Sequence, residues 1–372
     1  MKSSQLMADR QTLNFDIVSQ TLCSKEEKVL AVIKKAENGK GLTLKDTKVL
    51  LNADENMTEK IFNAAKRVNE KLYKKIITFY GVSYIGDECI NVCSYCGDNV
   101  HSKREEKYTL TLEEFRKDLK ALLSLHNFKQ VCFLAGEHPK TSPAKLIEYL
   151  KIASEMYHEL IIINVAPMSV DDFRKIREAI PNRLHFRVFQ ETYEQDVYKL
   201  HHQSGPKSDF FWRVESQERA LLAGFDEVGL GVLFGLNNRD LGAKYEVLAL
   251  KNHADYLYKK IGKYPSSISF PRLRKSKGID FASPILINDD DFMKYISIVR
   301  LAIPQTKLII TCRENKEFRK RVRPLINIED FGAKPGPGGN YRTDINFQME
   351  LEDNRAGDEV KKEMLTEGYQ VL

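Results

Sequence analysis

Three cysteines stand close together in the run Cys89-Ile90-Asn91-Val92-Cys93-Ser94-Tyr95-Cys96. Thiolates are soft ligands, and three of them at C-x3-C-x2-C spacing suit an iron–sulfur cluster in which one iron has no protein ligand. An iron left open in this way binds a substrate or cofactor, which a cluster with four protein ligands does not. The competing reading is a zinc site completed by His101, five residues beyond Cys96. Structural zinc usually joins two separated ligand pairs and folds a domain that lacks a core of its own, and a chain of 372 residues has no such need. The other cysteines, Cys23, Cys132 and Cys312, lie in apolar or helical stretches and read as small buried hydrophobes.

The elements that must hold the cysteine run follow from hydrophobic patterning. Predicted strands cover Ile76–Tyr84, Gln130–Gly136, Leu160–Ala166, Leu184–Gln190, Glu227–Gly235, Ser266–Arg272 and Thr306–Thr311. Each is short and mostly apolar, as parallel strands covered on both faces are. Predicted helices cover Thr111–His126, Ser142–His158, Val170–Ile180, Asp209–Ala223, Leu241–Ile261 and Asp289–Ala302. Thr111 with Glu114, and Ser169 with Asp171 and Asp172, are N-terminal helix signals. The alternation predicts an α/β protein built as a (β/α) TIM-type barrel, with a weaker last strand near Ile326–Phe331; a doubly wound sheet is the alternative. In a barrel the loop after each strand opens on the catalytic face, so the cysteine run lies over the mouth. Residues 1–74 are helical, rich in Lys and Glu, broken at Gly39-Lys40-Gly41, and read as an N-terminal helical extension. The barrel takes residues 75–335, and residues 336–372 form a C-terminal tail packed on it.

Composition removes several classes. At 42% apolar and 30% charged, with 20 Gly and 12 Pro, the chain is neither disordered nor collagen-like. Lys and Arg total 58 against 52 Asp and Glu, and the basic residues are interspersed with acidic ones, so no nucleic-acid partner is expected. There is no apolar run of the roughly 18 residues that a membrane span needs, and the start of the chain lacks the pattern of a secretory signal. A cytoplasmic protein without membrane contact is the expectation, and in such a chain clustered cysteines point to metal before disulfides.

The C-x3-C-x2-C run, with an aromatic before its third cysteine and a barrel strand ahead of it, resembles the signature of the radical S-adenosylmethionine superfamily. The resemblance spans roughly residues 79–339 and extends to the aromatic amino acid lyase branch. That branch holds the 2-iminoacetate synthase of thiamine synthesis, the tyrosine lyase of hydrogenase maturation and a tryptophan lyase. The matching pieces are Leu134-Ala135-Gly136-Glu137-His138, Val188-Phe189-Gln190-Glu191-Thr192-Tyr193, the block from Ser204 to Arg213, the block from Gly229 to Leu236, and Ser269-Phe270-Pro271-Arg272-Leu273-Arg274.

The resemblance implies a [4Fe-4S] cluster on Cys89, Cys93 and Cys96, S-adenosylmethionine on its open iron, and a 5′-deoxyadenosyl radical as the reactive species. It places Tyr95 beside the adenine, Glu137 on the methionyl ammonium, Gln190 and Glu191 on ribose or ammonium, and Arg213 on the cofactor carboxylate. Arg272 becomes the anchor of the substrate carboxylate, with Arg274 as alternative, and Ser269 and Tyr84 become lining residues. The implied reaction cleaves Cα–Cβ of tyrosine to p-cresol and 2-iminoacetate, and a flavodoxin- or ferredoxin-type protein supplies the electron. Such an imine hydrolyses readily, so a downstream biosynthetic protein is a further expected partner. Tryptophan or another amino acid as substrate is one alternative; a non-catalytic metal-binding maturation scaffold is another. One feature departs from the family's usual pattern and a second from the hydrogenase-maturing lyase alone. Gly86-Asp87-Glu88 places two acids ahead of the first cysteine, and the absence of cysteine after Cys312 speaks against carbon monoxide and cyanide production.

Overall fold

The computed structural model describes residues 24–104, 106–281, 287–345 and 347–372; Cys23 lies outside them. Among the described residues three helices come first, α1 (Glu26–Ala36), α2 (Leu44–Leu51) and α3 (Thr58–Tyr73). The strands β1 (Ile76–Phe79), β2 (Gly81–Gly86) and β3 (Val92–Cys93) follow, then α4 (Leu112–Leu125), β4 (Gln130–Ala135), α5 (Pro143–Met156), β5 (Leu160–Asn164), α6 (Val170–Ala179) and β6 (Leu184–Arg187). Next are α7 (Gln195–His201), β7 (His202–Ser204), α8 (Phe210–Val214), α9 (Ser216–Leu222), β8 (Glu227–Gly231), α10 (Gly242–Ile261) and β9 (Ser267–Ser269). The chain continues through α11 (Asp289–Ala302), β10 (Lys307–Ile310), α12 (Lys316–Val322), β11 (Ile328–Glu329), α13 (Gly357–Thr366) and β12 (Gln370–Val371).

The main sheet runs β12-β1-β11-β10-β9-β8-β6-β5-β4-β2 with parallel neighbours. The edge strand β2 and β1, which lies next to the other edge strand β12, belong to one stretch of chain, because only Tyr80 parts β1 from β2. The sheet therefore curls into a TIM-type barrel that closes through this residue. Patterning alone predicts one strand over Ile76–Tyr84; the structure divides it because its start pairs with β11 and β12 while its end pairs with β4. The predicted helix over Asp209–Ala223 is likewise divided, at Glu215, into α8 and α9.

Packing follows strand alternation. Residues such as Ile161, Ile163, Phe186, Leu230, Ile268, Leu308 and Ile310 face the helices and are fully buried. Each such side chain contributes about 1.5–3 kcal/mol by leaving water. Inside the barrel a smaller apolar group, Tyr80, Cys132, Ile162, Ile309 and Ile328, fills the lower layer. The N-terminal helices cover the end of the barrel away from the cysteines. There Leu42 N–H donates to Ala302 O (3.2 Å), Asn69 Nδ2 to Pro324 O (2.9 Å) and Tyr73 Oη to Pro304 O (2.9 Å), carbonyls that precede β10 and β11. The C-terminal segment wraps the other way: Asn340 Nδ2 donates to Val82 O (3.0 Å) and to Asp118 Oδ2 (2.9 Å), and β12 lies beside β1.

Candidate active site

The cysteine loop leaves β2 at the barrel mouth and is tied down along its length. Gly136, at the end of the second barrel strand, has no room for a side chain because a Cβ would collide with the Glu88 carbonyl. Ile90 N–H donates to Glu137 O (2.9 Å), β3 pairs antiparallel with β7, and Asn99 Nδ2 donates to Cys93 O (2.8 Å). The two acids ahead of the first cysteine are both engaged. Asp87 shares the buried guanidinium of Arg104 with Asp98 (2.8 and 2.6 Å), and Glu88 takes Lys140 (2.8 Å) and Thr109 (2.8 Å). They brace the loop.

Cys89, Cys93 and Cys96 line one cavity of about 200 Å³, together with Tyr95, Glu137, Glu191, Lys207 and Arg213. Burial pushes the Cys93 thiol up to about 11, and burial together with Asp98 pushes Cys96 up further. Gln348 Nε2 donates to Cys96 Sγ (3.2 Å) and Asn91 Nδ2 is 3.5 Å from Cys89 Sγ. Both are N–H···S contacts, which suit thiolates. The opposite wall is charged. Glu191 holds an unusual backbone, with φ at 69°, and its carboxylate takes Lys207 Nζ (2.7 Å) and Arg213 Nη2 (3.5 Å). Burial raises the Glu191 pKa, but Lys207 and Arg213 outweigh it and hold the carboxyl below its ordinary range. Tyr95 Oη is pinned between His202 Nε2 (2.9 Å) and Lys207 Nζ (3.1 Å).

A second cavity of about 80 Å³ lies deeper in the barrel, lined by Tyr80, Cys132, Arg187, Ser269, Cys312 and Asp330 among others. The two share the walls Tyr84, Leu134, Asn164, Phe189, Pro271, Arg313 and Met349, so the cysteine-lined mouth opens into the barrel. Barrel interiors are normally packed with branched aliphatics; polar side chains and open space at this level mark a binding chamber.

Comparison with known proteins agrees. Residues 83–248 match the Radical SAM superfamily and residues 269–370 match the Biotin and Thiamin Synthesis associated domain. The 2-iminoacetate synthase of Escherichia coli (strain K12) is 30% identical over 348 residues, covering 92% of this chain and 90% of the relative. That of Salmonella typhimurium (strain LT2) is 30% identical over 316 residues, 84% of this chain and 81% of the relative. The chain belongs to the radical S-adenosylmethionine superfamily, in its 2-iminoacetate synthase branch. Among solved structures, the [FeFe]-hydrogenase maturase HydG from Carboxydothermus hydrogenoformans superposes with a TM-score of 0.89 at 28% identity, covering 100% of this chain and 85% of that one. Methylornithine synthase, at 22% identity and a TM-score of 0.74 over 92% of this chain and 97% of its own, shares the fold.

Radical S-adenosylmethionine chemistry needs a cluster and its nucleotide cofactor, and this donor set fits both. Among the described residues no three His, Cys, Asp or Glu side chains, His101 included, meet closely enough to hold a single ion. A cluster gives each thiolate its own iron, so it does not require the three to meet at a point. Glu137 accepts from Asn91 through Oε2 alone (2.9 Å), leaving its second oxygen for an ammonium. Arg213 spends Nε on Phe189 O (2.6 Å) and Nη2 on Glu191, leaving Nη1 for a carboxylate.

Of the residues singled out from sequence, Cys89, Cys93, Cys96, Tyr84, Tyr95, Glu137, Glu191 and Arg213 gather at the outer cavity, while Ser269 lines the inner one. Gln190 is buried outside both, and among the described residues neither of its amide atoms has a hydrogen-bond partner. Arg272 is not in the chamber. Its guanidinium is held by Glu314 and Asp289 (2.7 Å to the latter) and stacks at 4.7 Å on the rings of Phe292 and Phe318. Ser269, Pro271 and Leu273 face the cavities, so Arg272, on the alternate positions, faces the helices. Arg274 does line the outer cavity but also bonds Glu314 (2.9 Å) and Glu352 (3.1 Å). Sequence reading missed Asn91, Lys207, Gln348 and Arg313. Arg313 lines both cavities, and among the described residues its guanidinium has no carboxylate partner. A signal for it was present in Thr311-Cys312-Arg313, directly after a barrel strand.

Proposed function

We propose that this chain is a radical S-adenosylmethionine lyase that cleaves the Cα–Cβ bond of tyrosine to p-cresol and 2-iminoacetate. The observation that carries the reading is the match, over almost the whole length of both partners, to 2-iminoacetate synthases. The match to the Biotin and Thiamin Synthesis associated domain supports a place in thiamine synthesis. When bound, the cluster on Cys89, Cys93 and Cys96 and the S-adenosylmethionine beside it supply a 5′-deoxyadenosyl radical able to take a hydrogen atom from the substrate amine.

The chain's own residues bind, orient and shield. Glu137 holds the cofactor ammonium, Arg213 its carboxylate and Tyr95 its adenine face, while Lys207 fixes Glu191 in its unusual backbone geometry. Arg313 takes the role that sequence gave to Arg272: a guanidinium without a carboxylate of its own, on the wall shared by both cavities, suits the carboxylate of a free amino acid. Tyr84, Leu134, Phe189 and Met349 then surround the aromatic ring. A flavodoxin- or ferredoxin-type protein delivers the electron, and a biosynthetic partner takes up the imine before water does. Among the described residues no helix is long and apolar enough to cross a membrane. The test is anaerobic: with cluster, S-adenosylmethionine and reductant present, tyrosine yields p-cresol and glyoxylate, the hydrolysis product of the imine, and tryptophan yields no fragment. Cleavage of tryptophan in place of tyrosine would overturn the assignment.

A further inference from the structure

The floor of the inner cavity holds a charge that, among the described residues, has no carboxylate within ion-pairing distance. Arg187, 2% exposed at the end of β6, lines this cavity, and its Nε and Nη1 have no hydrogen-bond partner among the described residues. Its remaining contacts are soft: Nη2 lies 3.4 Å from Cys132 Sγ, and the guanidinium sits 4.9 Å from the centre of the Tyr80 ring. Glycine at position 229 makes room for it, because a Cβ there would approach Arg187 Cγ to 2.8 Å. Asp330 lines the same cavity; it accepts from the Cys312 N–H (2.7 Å) and Sγ (3.3 Å), which leaves carboxylate lone pairs free. Burying a guanidinium without a hydrogen-bonded counter-ion is costly. Such an arrangement is explained by a ligand that completes it.

We infer that Arg187 and Asp330 form a subsite that reads the hydroxyl at the far end of a phenolic amino acid. This rests on the tyrosine-lyase reading and deepens it. A phenol both accepts and donates, so it can take an N–H from Arg187 and give its O–H to Asp330. An indole N–H only donates, and a phenyl ring does neither. Each leaves the guanidinium buried and unpaired, and that mismatch is the source of large discrimination in sites built around a substrate hydroxyl. With the carboxylate on Arg313 at the shared wall and the hydroxyl on Arg187 below, the substrate is held at both ends. Arg187 is thus a specificity-determining residue, on the opposite side of the substrate from the cysteines.

The experiment uses the reconstituted enzyme with S-adenosylmethionine and compares tyrosine with phenylalanine, by calorimetric binding and by product analysis. Native protein binds tyrosine more tightly by roughly ten- to a hundredfold, the range for an unpaired buried hydrogen-bonding group. Arg187→Met draws the two affinities together, mainly by weakening tyrosine, and Arg187→Lys restores part of the gap because it restores a donor. Equal binding of the two amino acids by native protein overturns the inference without needing any variant. So does an Arg187→Met protein that folds, makes p-cresol and keeps the native preference; in that case the lyase reading stands. Native protein that forms deoxyadenosine from S-adenosylmethionine and no p-cresol from tyrosine removes the lyase reading and the subsite with it.

Discussion

Two pairs of arginines set two regions of this molecule apart. Arg319 and Arg323 are fully buried in the seam between the barrel and its C-terminal segment, and carboxylates surround them. Arg319 bonds Glu329 (2.9 Å) and Asp353 (2.7 Å), while Arg323 bonds Glu329 (3.2 Å), Glu363 (3.0 Å) and Glu367 (2.7 Å). Arg187 and Arg313 sit within the barrel chamber, and among the described residues neither has a carboxylate within ion-pairing distance. The residue type is the same, and Arg187 is enclosed as closely as the seam pair, while Arg313 is half-buried on the chamber wall. What differs is the partner: the chain's own carboxylates in the seam, and in the chamber, on the reading proposed above, a substrate whose carboxylate meets Arg313 and whose hydroxyl meets Arg187. A buried cation paired by its own fold is architecture, whereas one left unpaired beside a cavity is a binding group.

The largest effect should come from breaking the seam. Arg319→Met leaves Glu329 and Asp353 buried without that partner, and the expected cost is about 3–5 kcal/mol, read as a lower thermal midpoint of the chain without cluster. A loss below about 1 kcal/mol would mean that the seam pairs are not structural.

Glu246 adds a third case, a buried carboxyl whose donors among the described residues are neutral: Thr192 Oγ1 (2.5 Å), Tyr193 N–H (2.9 Å) and Asn237 Nδ2 (2.8 Å). Burial pushes its pKa up from 4.5 to about 7. The folded chain therefore binds this proton more tightly than the unfolded chain, so the group's contribution to stability falls as pH rises from 4.5 to about 7. Denaturant unfolding at acidic and at mildly alkaline pH should show Glu246→Gln losing up to about 3 kcal/mol of that pH dependence. An unchanged slope would show that Glu246 ionises normally in the fold.

Arg313→Met should do the reverse of the seam variant. Its melting stays within about 1 kcal/mol of native, while kcat/KM for tyrosine drops by roughly ten- to a hundredfold, as expected for a lost charge-assisted bond. The smallest effect belongs to Gln348→Leu, which removes the N–H···S contact to Cys96. A shift in cluster potential and a fall in turnover of about two- to tenfold are expected, measured by redox titration and deoxyadenosine release.

Much of this was legible in the sequence. The apolar runs locate the barrel strands, and the cysteine spacing locates the cluster loop, because both signals are local. Parity was harder. Arg272 and Arg313 each follow a barrel strand, and a one-residue difference in alternation sends one to the helices and the other into the chamber. Gln190 and Glu191 divide in the same way, although the left-handed backbone at Glu191 breaks simple alternation there. Gln348 carries no local signal at all: it reaches Cys96 from 252 positions away, through a segment without periodic pattern. The short β3–β7 ladder, two residues against three, was invisible for the same reason.

The decisive measurement is p-cresol formation against tyrosine concentration for Arg272→Met and Arg313→Met, using protein shown to melt as a folded chain. With Arg272 holding Glu314 and Asp289 and Arg313 on the chamber wall, a native KM is expected for the first and a sharply raised KM for the second. A raised KM in Arg272→Met beside a native one in Arg313→Met would contradict this expectation, and would return the substrate carboxylate to the residue that the sequence first suggested.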